Sequence, residues 1–415
     1  MTDSVQDLSL AHNPRVLFDG AMPSRWAAAF GAAPVATLPR IVGVAVEGIL
    51  EAERLPFIKT MMGEGLAATR PQDQPALAAR RGDVVLAGDR AVFRRLARAA
   101  PPTPPFLGAL CRAIEAALQA CEQPPRVLKL RTRELDLSCT RIMGVLNVTP
   151  DSFSDGGKFA DPAAAVERAL ALAADGADMI DVGGESTRPG ATPVSVDEEW
   201  RRVGPVLRAL KPRLAIPLSI DTRKAEIARR ACDEGAEMVN DVSGLQSDPR
   251  MAAVVRACGA ALVIMHLKGE PESMQQDPRY DDVVADVLLA LRKNLALALR
   301  ACIDADRILL DPGIGFGKTL EHNLELLARL PELKSAGRAL LLGCSRKSFL
   351  GRILAAGGDQ AVARPALERT FGTAATTTLA AVSGVAMVRV HDVTPARDVI
   401  RVIDAVRRHA DLTLR

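Results

Sequence analysis

Two aspartates, Asp221 and Asp311, each close a short apolar run, in PLSID (217–221) and ILLDPG (308–313). A carboxylate left unpaired in such surroundings costs several kcal/mol, so both must meet hydrogen-bond donors or cations. Two acids facing one cavity suit a ring that offers amidine-like N–H groups, and Lys347, in CSRKSF (344–349), adds a cation beside them. Arg389 and His391 are spaced two apart on another apolar run, so as strand residues they share one face. With Asn147 and Arg188 they can hold a polyphosphate together with a divalent ion, since Mg²⁺ is satisfied by few protein ligands plus phosphate oxygens and water. Arg188 can also clamp phosphate with two parallel hydrogen bonds. The stretch DPGIGFGKT (311–319) looks like a nucleotide phosphate loop, yet the position that must be Gly in such a loop is Pro312. Proline has no N–H to offer phosphate and a locked φ, so the stretch needs another reading.

These residues must be carried by elements that bring them together. From residue 142 onward, eight apolar, β-branched runs alternate with Ala-, Leu- and Arg-rich helical spacing: 142–148, 179–184, 217–221, 238–242, 262–266, 308–313, 339–345 and 387–392. Near-continuous apolar strands separated by helices predict a parallel sheet buried on both faces. Eight units fit a closed (β/α)₈ barrel, typically about 250 residues, better than an open doubly wound sheet. Polar residues end nearly every run: Asn147, Glu185, Asp221, Asn240, His266, Asp311, Ser345 and Arg389. In a barrel those ends converge on one mouth, where active sites form. The loop after the first run, with Pro150, Gly156 and Gly157 as pivots, has the character of a lid.

Residues 1–125 form a separate N-terminal extension of small α/β character, with strand-like runs at 41–46 and 83–88, an Arg-rich helix at 90–100, the cluster PPTPP (101–105) and a helix near 106–120. Residues 126–138 predict a hairpin that closes the bottom of the barrel, which then occupies 126–415. The 415 residues carry a net charge of only +3 and 3% aromatics, which excludes a general nucleic-acid surface or stacked-base platform. Seven scattered cysteines without a C-x-x-C pair predict reduced thiols, and the absence of an 18-residue apolar run or a leader predicts a soluble cytoplasmic protein with no membrane partner.

The motifs IMGVLNVTPDSFSDGG (142–157), IDVGGESTRPGA (180–191), SIDTRK (219–224), VNDVSG (239–244), MHLKGEPESMQ (265–275), LLDPGIGFGKT (309–319), GCSRKS (343–348) and RVHDV (389–393), in this order, resemble those of the dihydropteroate synthases, the folate-pathway enzymes targeted by sulfonamides. The resemblance implies a (β/α)₈ barrel that condenses 6-hydroxymethyl-7,8-dihydropterin pyrophosphate with 4-aminobenzoate, giving 7,8-dihydropteroate and pyrophosphate. It implies a pterin pocket of Asp221, Asn240, Met265, Asp311 and Lys347. Phe153, Thr187, Arg188, Pro189 and Ser345 match the 4-aminobenzoate positions, with Asp155 on the same ordering loop; Asn147, Arg188, Arg389 and His391 match the pyrophosphate positions, and Asn147 that of Mg²⁺. Asp221, Lys347, Arg389, His391, Asp155 and Arg188 are the implied catalytic set. A homodimer with small-molecule substrates is implied as well.

The sequence departs from the family pattern at Leu267, Lys268, Ile314 and Cys344, none of them a charged site residue lost. Two alternatives share the barrel. A methyltetrahydrofolate:corrinoid methyltransferase would keep the pterin acids and lack the NVTPDSFSDGG and STRPG loops; a non-catalytic scaffold would have lost Lys347, Arg389 or Asn147.

Overall fold

The N-terminal sheet begins with a strand the sequence pattern hides. In the computed structural model, which describes residues 11–20, 41–73, 82–98, 107–149, 162–186, 191–270, 273–355 and 362–410, strands β1 (Arg15–Gly20), β2 (Ile41–Val46), β3 (Ala67–Thr69) and β4 (Val84–Gly88) pair antiparallel in the order β1-β2-β4-β3. Helices α1 (Glu51–Gly63), α2 (Arg90–Arg98) and α3 (Leu107–Glu122) accompany the sheet. Val42, Val44, Phe57, Leu86, Phe93 and Ile114 fill the shared core. The runs at 41–46 and 83–88 are strands as expected, whereas β1, β3 and α1 are not legible. Helix α1 contains Pro56 and buries only Phe57 and Met61, so it shows no apolar stripe.

A hairpin of β5 (Val127–Lys129) and β6 (Glu134–Asp136) follows. Eight parallel strands then close on themselves: β7 (Arg141–Asn147), β8 (Met179–Gly183), β9 (Leu218–Asp221), β10 (Met238–Asp241), β11 (Ala261–Met265), β12 (Ile308–Asp311), β13 (Ala339–Leu342) and β14 (Met387–Val390), with β14 pairing back to β7. All eight lie where the apolar runs placed them. Leu128, Leu130 and Leu137 of the hairpin region pack against Met143, Met179, Met238, Leu309 and Met387 near the strand starts, plugging the bottom of the barrel.

The outer ring comprises α4 (Pro162–Ala174), α5 (Val196–Leu210), α6 (Ala225–Asp233), α7 (Met251–Cys258), α8 (Val283–Arg300), α9 (Leu320–Ala328), the short α10 (Leu330–Leu333), α11 (Ser348–Ile353), α12 (Thr370–Val382) and α13 (Val393–Ala410). Helix starts are set by side-chain caps: Ser195 accepts from Glu198 N, Asp282 from Val284 N and Ala285 N, and Thr319 from His322 N. Each cap fixes where a mouth loop ends. The strand register does the rest, aligning Asn147 with Gly183, Gly183 with Asp221, and Asp221 with Asn240, so that four neighbouring strands present residues at or next to their C-terminal ends at one level.

Candidate active site

At that level Arg389, rising from β14, crosses to the opposite side of the mouth. Its Nε donates to Asp181 Oδ2 at 2.7 Å and its Nη2 to Asp221 Oδ2 at 2.7 Å. Asn240 Nδ2 donates to the same Asp181 oxygen at 2.9 Å. Asp181 is wholly buried, and its Oδ1 meets no hydrogen-bond partner among the described residues. An orphaned buried carboxylate oxygen is costly, and in a cavity mouth it is an acceptor waiting for a donor. Burial pushes the Asp221 carboxyl up to about 7, Arg389 pulling it back down and Asp181 adding to the rise. Asn147 belongs to this cluster: a Cβ on Gly183 would lie 3.6 Å from both Asn147 Oδ1 and Asp221 Oδ2.

The other half of the mouth is built on Asp311. Its Oδ1 accepts from Gly313 N at 2.7 Å, and burial raises its carboxyl while Lys347 opposes the rise. Lys347, whose ammonium burial pulls below its ordinary value, donates to Ile314 O and stands 4.4 Å from the centre of the Phe316 ring. The two halves meet at Gly343, where a Cβ would lie 4.0 Å from Asp311 Oδ2 and from Lys347 Nζ and 3.8 Å from Arg389 Cβ. Met265, paired in register with Asp311, is buried behind this wall.

DPGIGFGKT has a structural use. Lys318 points inward, 2% exposed, and its Nζ lies 2.9 Å from Gly313 O, Phe316 O and His266 Nδ1. Burial, with Lys347 nearby, drives its ammonium well below the ordinary value. It staples the glycine loop instead of binding phosphate. Gly313 (φ +66°) lies so close to β11 that a Cβ would sit 2.0 Å from His266 O, and at Gly317 (φ +60°) one would sit 2.2 Å from Lys268 O. Only glycine allows both the φ and the approach.

Ser345 and His391 are also brought together. The Ser345 hydroxyl lies 3.0 Å from His391 Nδ1 and accepts from His391 N at 3.1 Å. Ser348, at the start of α11, instead lines a cavity of about 180 Å³ beside the Lys347 wall, with Gly315, Thr319 and Arg352. Glu185, read as part of the polar ring, is held by Lys224 at 2.5 Å and Arg223 at 3.2 Å, and those cations keep its carboxyl low despite burial. Phe153, Asp155, Thr187, Arg188 and Pro189 lie outside the described residues. Sequence reasoning missed Asp181, Lys318 and Ser348. An acid inside the otherwise apolar MIDVG was the available signal for Asp181; Lys318 was obscured by its resemblance to a nucleotide loop.

An eight-stranded barrel whose mouth combines buried acids, an amide and two cations matches a pterin-binding architecture. The family described as pterin binding enzyme covers residues 143–391. The chain belongs to that family and, within it, to the dihydropteroate synthases. It is 47% identical over 272 residues to the dihydropteroate synthase of Mycobacterium leprae, a match spanning 65% of this chain and 95% of the relative. Among solved structures, it is similar to the Xanthomonas albilineans dihydropteroate synthase with 4-aminobenzoic acid (44% identity, TM-score 0.62, 69% of this chain and 99% of the other). It is also similar to the Burkholderia cenocepacia enzyme complexed with 7,8-dihydropteroate (41%, 0.62, 69% and 98%).

Proposed function

We propose that this barrel joins 6-hydroxymethyl-7,8-dihydropterin pyrophosphate to 4-aminobenzoate by a dissociative substitution. The observation that carries the reading is the Arg389 bridge between Asp181 and Asp221, with Asp181 Oδ1 buried and unmatched beside Asn240. Asp181, Asp221 and Asp311 offer acceptors to the N–H edge of the pterin, and Asn240 and Lys347 face its remaining polar atoms. The methylene C–O bond breaks first, its electron pair leaving with pyrophosphate. The electron-rich dihydropterin shares the positive charge left behind, and Asp221 stabilises it. The arylamine nitrogen then attacks the methylene, forms the C–N bond and loses its proton.

Arg389 and His391, with Arg188, stabilise the departing charge as preorganised cations and donors. Asn147 is the residue that would hold a metal. Among the described residues no group of three metal-ligating side chains is assembled, and a single amide oxygen at the mouth fits an Mg²⁺ that arrives largely coordinated by phosphate oxygens. Such an ion supplies neutralisation of leaving-group charge. Phe153, Asp155, Thr187, Pro189 and Ser345 form the 4-aminobenzoate rim in this reading, with Met265 behind the pterin.

We further propose a cytoplasmic homodimer acting on small molecules. No described helix is long and apolar enough to cross a membrane, and all seven cysteines are free thiols, as a reducing compartment favours. Phe371 (85% exposed), Leu379, Val402 (62%) and Val406 put apolar area on the outer faces of α12 and α13, a surface suited to a second copy.

The test is pyrophosphate release by the full chain with the dihydropterin substrate and Mg²⁺. Release that depends on 4-aminobenzoate is expected, and a chain that releases none overturns the reading. A normal, sizeable secondary deuterium isotope effect at the methylene is expected for the dissociative path; a value near unity removes that path and leaves direct displacement.

A further inference from the structure

The pterin-enzyme match begins at residue 143, so the N-terminal sheet lies outside it, yet this sheet is joined to the barrel through buried polar contacts. Arg15 of β1 has no exposed surface and donates from Nη1 to Asp282 Oδ2 at 3.0 Å, with Glu47 at 3.2 Å and Glu332 at 3.9 Å beside it. Asn13 Nδ2 donates to Ala285 O at 3.2 Å. Every side-chain hydrogen bond described for the buried Arg292 of α8 goes to Asn13 Oδ1 (2.7 Å), Pro14 O (2.8 Å) or Ser335 O (2.7 Å), and Val16 N donates to Ser335 Oγ at 3.0 Å.

Asp282 is the point where this contact reaches the mouth. It caps α8 through Val284 N and Ala285 N, both at 3.0 Å, and it also accepts from Arg329 at 2.9 and 3.1 Å. It therefore anchors the end of the loop that leaves β11. That loop in turn holds the glycine loop: Tyr280 Oη donates to Gly317 O at 2.7 Å and Gln275 Nε2 to Gly315 O at 2.6 Å. The glycine loop supplies the Ile314 carbonyl and the Phe316 ring that contact Lys347. Removing Arg15 takes away a buried cation that Asp282, Glu47 and Glu332 share, and breaking a buried pair from one side is strongly destabilising.

We propose that the N-terminal unit is a positioning element of the active site, in which Arg15, by holding Asp282 at the start of α8, fixes the segment 273–282 that seats the glycine loop against Lys347. The proposal rests on Lys347 belonging to the pterin site. It gives the extension a part in substrate binding, beyond added bulk.

The test uses the full chain. Arg15→Met is expected to raise KM for dihydropterin pyrophosphate about tenfold while kcat stays within about twofold, and to speed amide hydrogen exchange in 273–282 and 313–318 while β7 to β10 keep their protection. Arg15→Lys, which keeps the charge facing Asp282, is expected to restore most of both. Asn13→Ala removes contacts to Ala285 O and Arg292 at the same interface while leaving the Arg15–Asp282 pair in place, and gives the same pattern at smaller amplitude, so a failure of Arg15→Met to fold does not end the test. Phe57→Leu, in the N-terminal core away from the interface, is expected to move neither readout. Variants at Arg15 and Asn13 that lower the melting temperature and leave KM and loop exchange at wild-type values overturn the proposal. If the wild-type chain makes no dihydropteroate, it is the catalytic reading that fails, and the exchange pattern alone decides this one.

Discussion

Arg389 and Asp221 form a 2.7 Å ion pair across the barrel mouth, and Asp181 shares the same guanidinium. The pair holds Asp221 as an acceptor even though burial pushes its carboxyl up to about 7. If ionised Asp221 accepts from the pterin, kcat/KM falls as pH drops through about 7. Arg389→Gln removes the group that lowers this carboxyl, so the acid limb of the pH profile moves to higher pH, and kcat/KM at pH 8 drops by about 10² to 10³. A profile with an unmoved limb would separate Asp221 from the titration.

The same carboxyl gives a stability prediction with a definite sign. A folded-state value raised above the ordinary carboxylate range means that ionised Asp221 opposes folding, and the cost grows as pH rises from about 4 through about 7. Asp221→Asn therefore stabilises the chain more at pH 8 than at pH 5, while abolishing most activity. Thermal unfolding at the two pH values checks it, and equal shifts at both would contradict it.

Lys318 should behave as a structural cation. Lys318→Met keeps the stem and removes the charge, leaving Gly313 O, Phe316 O and His266 Nδ1 to find new donors in a buried site. Its desolvation cost disappears as well, so the net loss is about 1–3 kcal/mol, the cost of stranding buried acceptors. Lys347→Met, by contrast, is expected to raise KM for the pterin substrate with little loss of melting temperature. Measuring both properties for both variants distinguishes the staple from the binding cation.

The fold was legible because a buried parallel strand writes itself as an apolar run, and each of the eight runs is a strand ending within a few residues of the expected place. The placement of Asp221, Asn240, Asp311 and Arg389 at the mouth was legible for the same reason: a charge or amide at the end of such a run has few structural excuses. Asp181 was hidden one register step inside its strand, and nothing local distinguishes Lys318 pointing inward from a lysine reaching for phosphate. Its direction is decided by the ring of His266, 52 residues earlier in the chain, together with the glycine loop's own carbonyls. The contact of Arg15 with Asp282 joins residues 267 apart, beyond any periodicity argument. Helix α1 was missed because tertiary packing of Phe57 and Met61, not an apolar stripe, holds it.

Gly313 supplies a prediction in which the backbone decides. With φ at +66° and a Cβ position 2.0 Å from His266 O, alanine forces the glycine loop away from β11. The strained φ alone costs about 1 kcal/mol, and the collision adds more than a side-chain rearrangement can relieve, since the obstacle is main chain. Gly313→Ala should lower stability by about 2–4 kcal/mol in denaturant unfolding and lose most activity. A variant with wild-type stability would mean that the loop accommodates a side chain.

The proposed second copy is tested at Phe371. This residue is 85% exposed near the start of α12, and Val402 and Val406 present further apolar surface on the neighbouring α13. Apolar side chains left in water on packed helices gain about 25 cal/mol for each Å² removed from solvent, so a few of them at the centre of an interface carry much of its energy. Phe371→Glu replaces that area with a charge and must desolvate it to associate. Sedimentation or light scattering should show wild type as a dimer and Phe371→Glu as a monomer at micromolar concentration, with the monomer's melting temperature close to that of wild type extrapolated to high dilution. A variant that remains dimeric would place the interface elsewhere, and a wild type that is monomeric would remove the homodimer altogether.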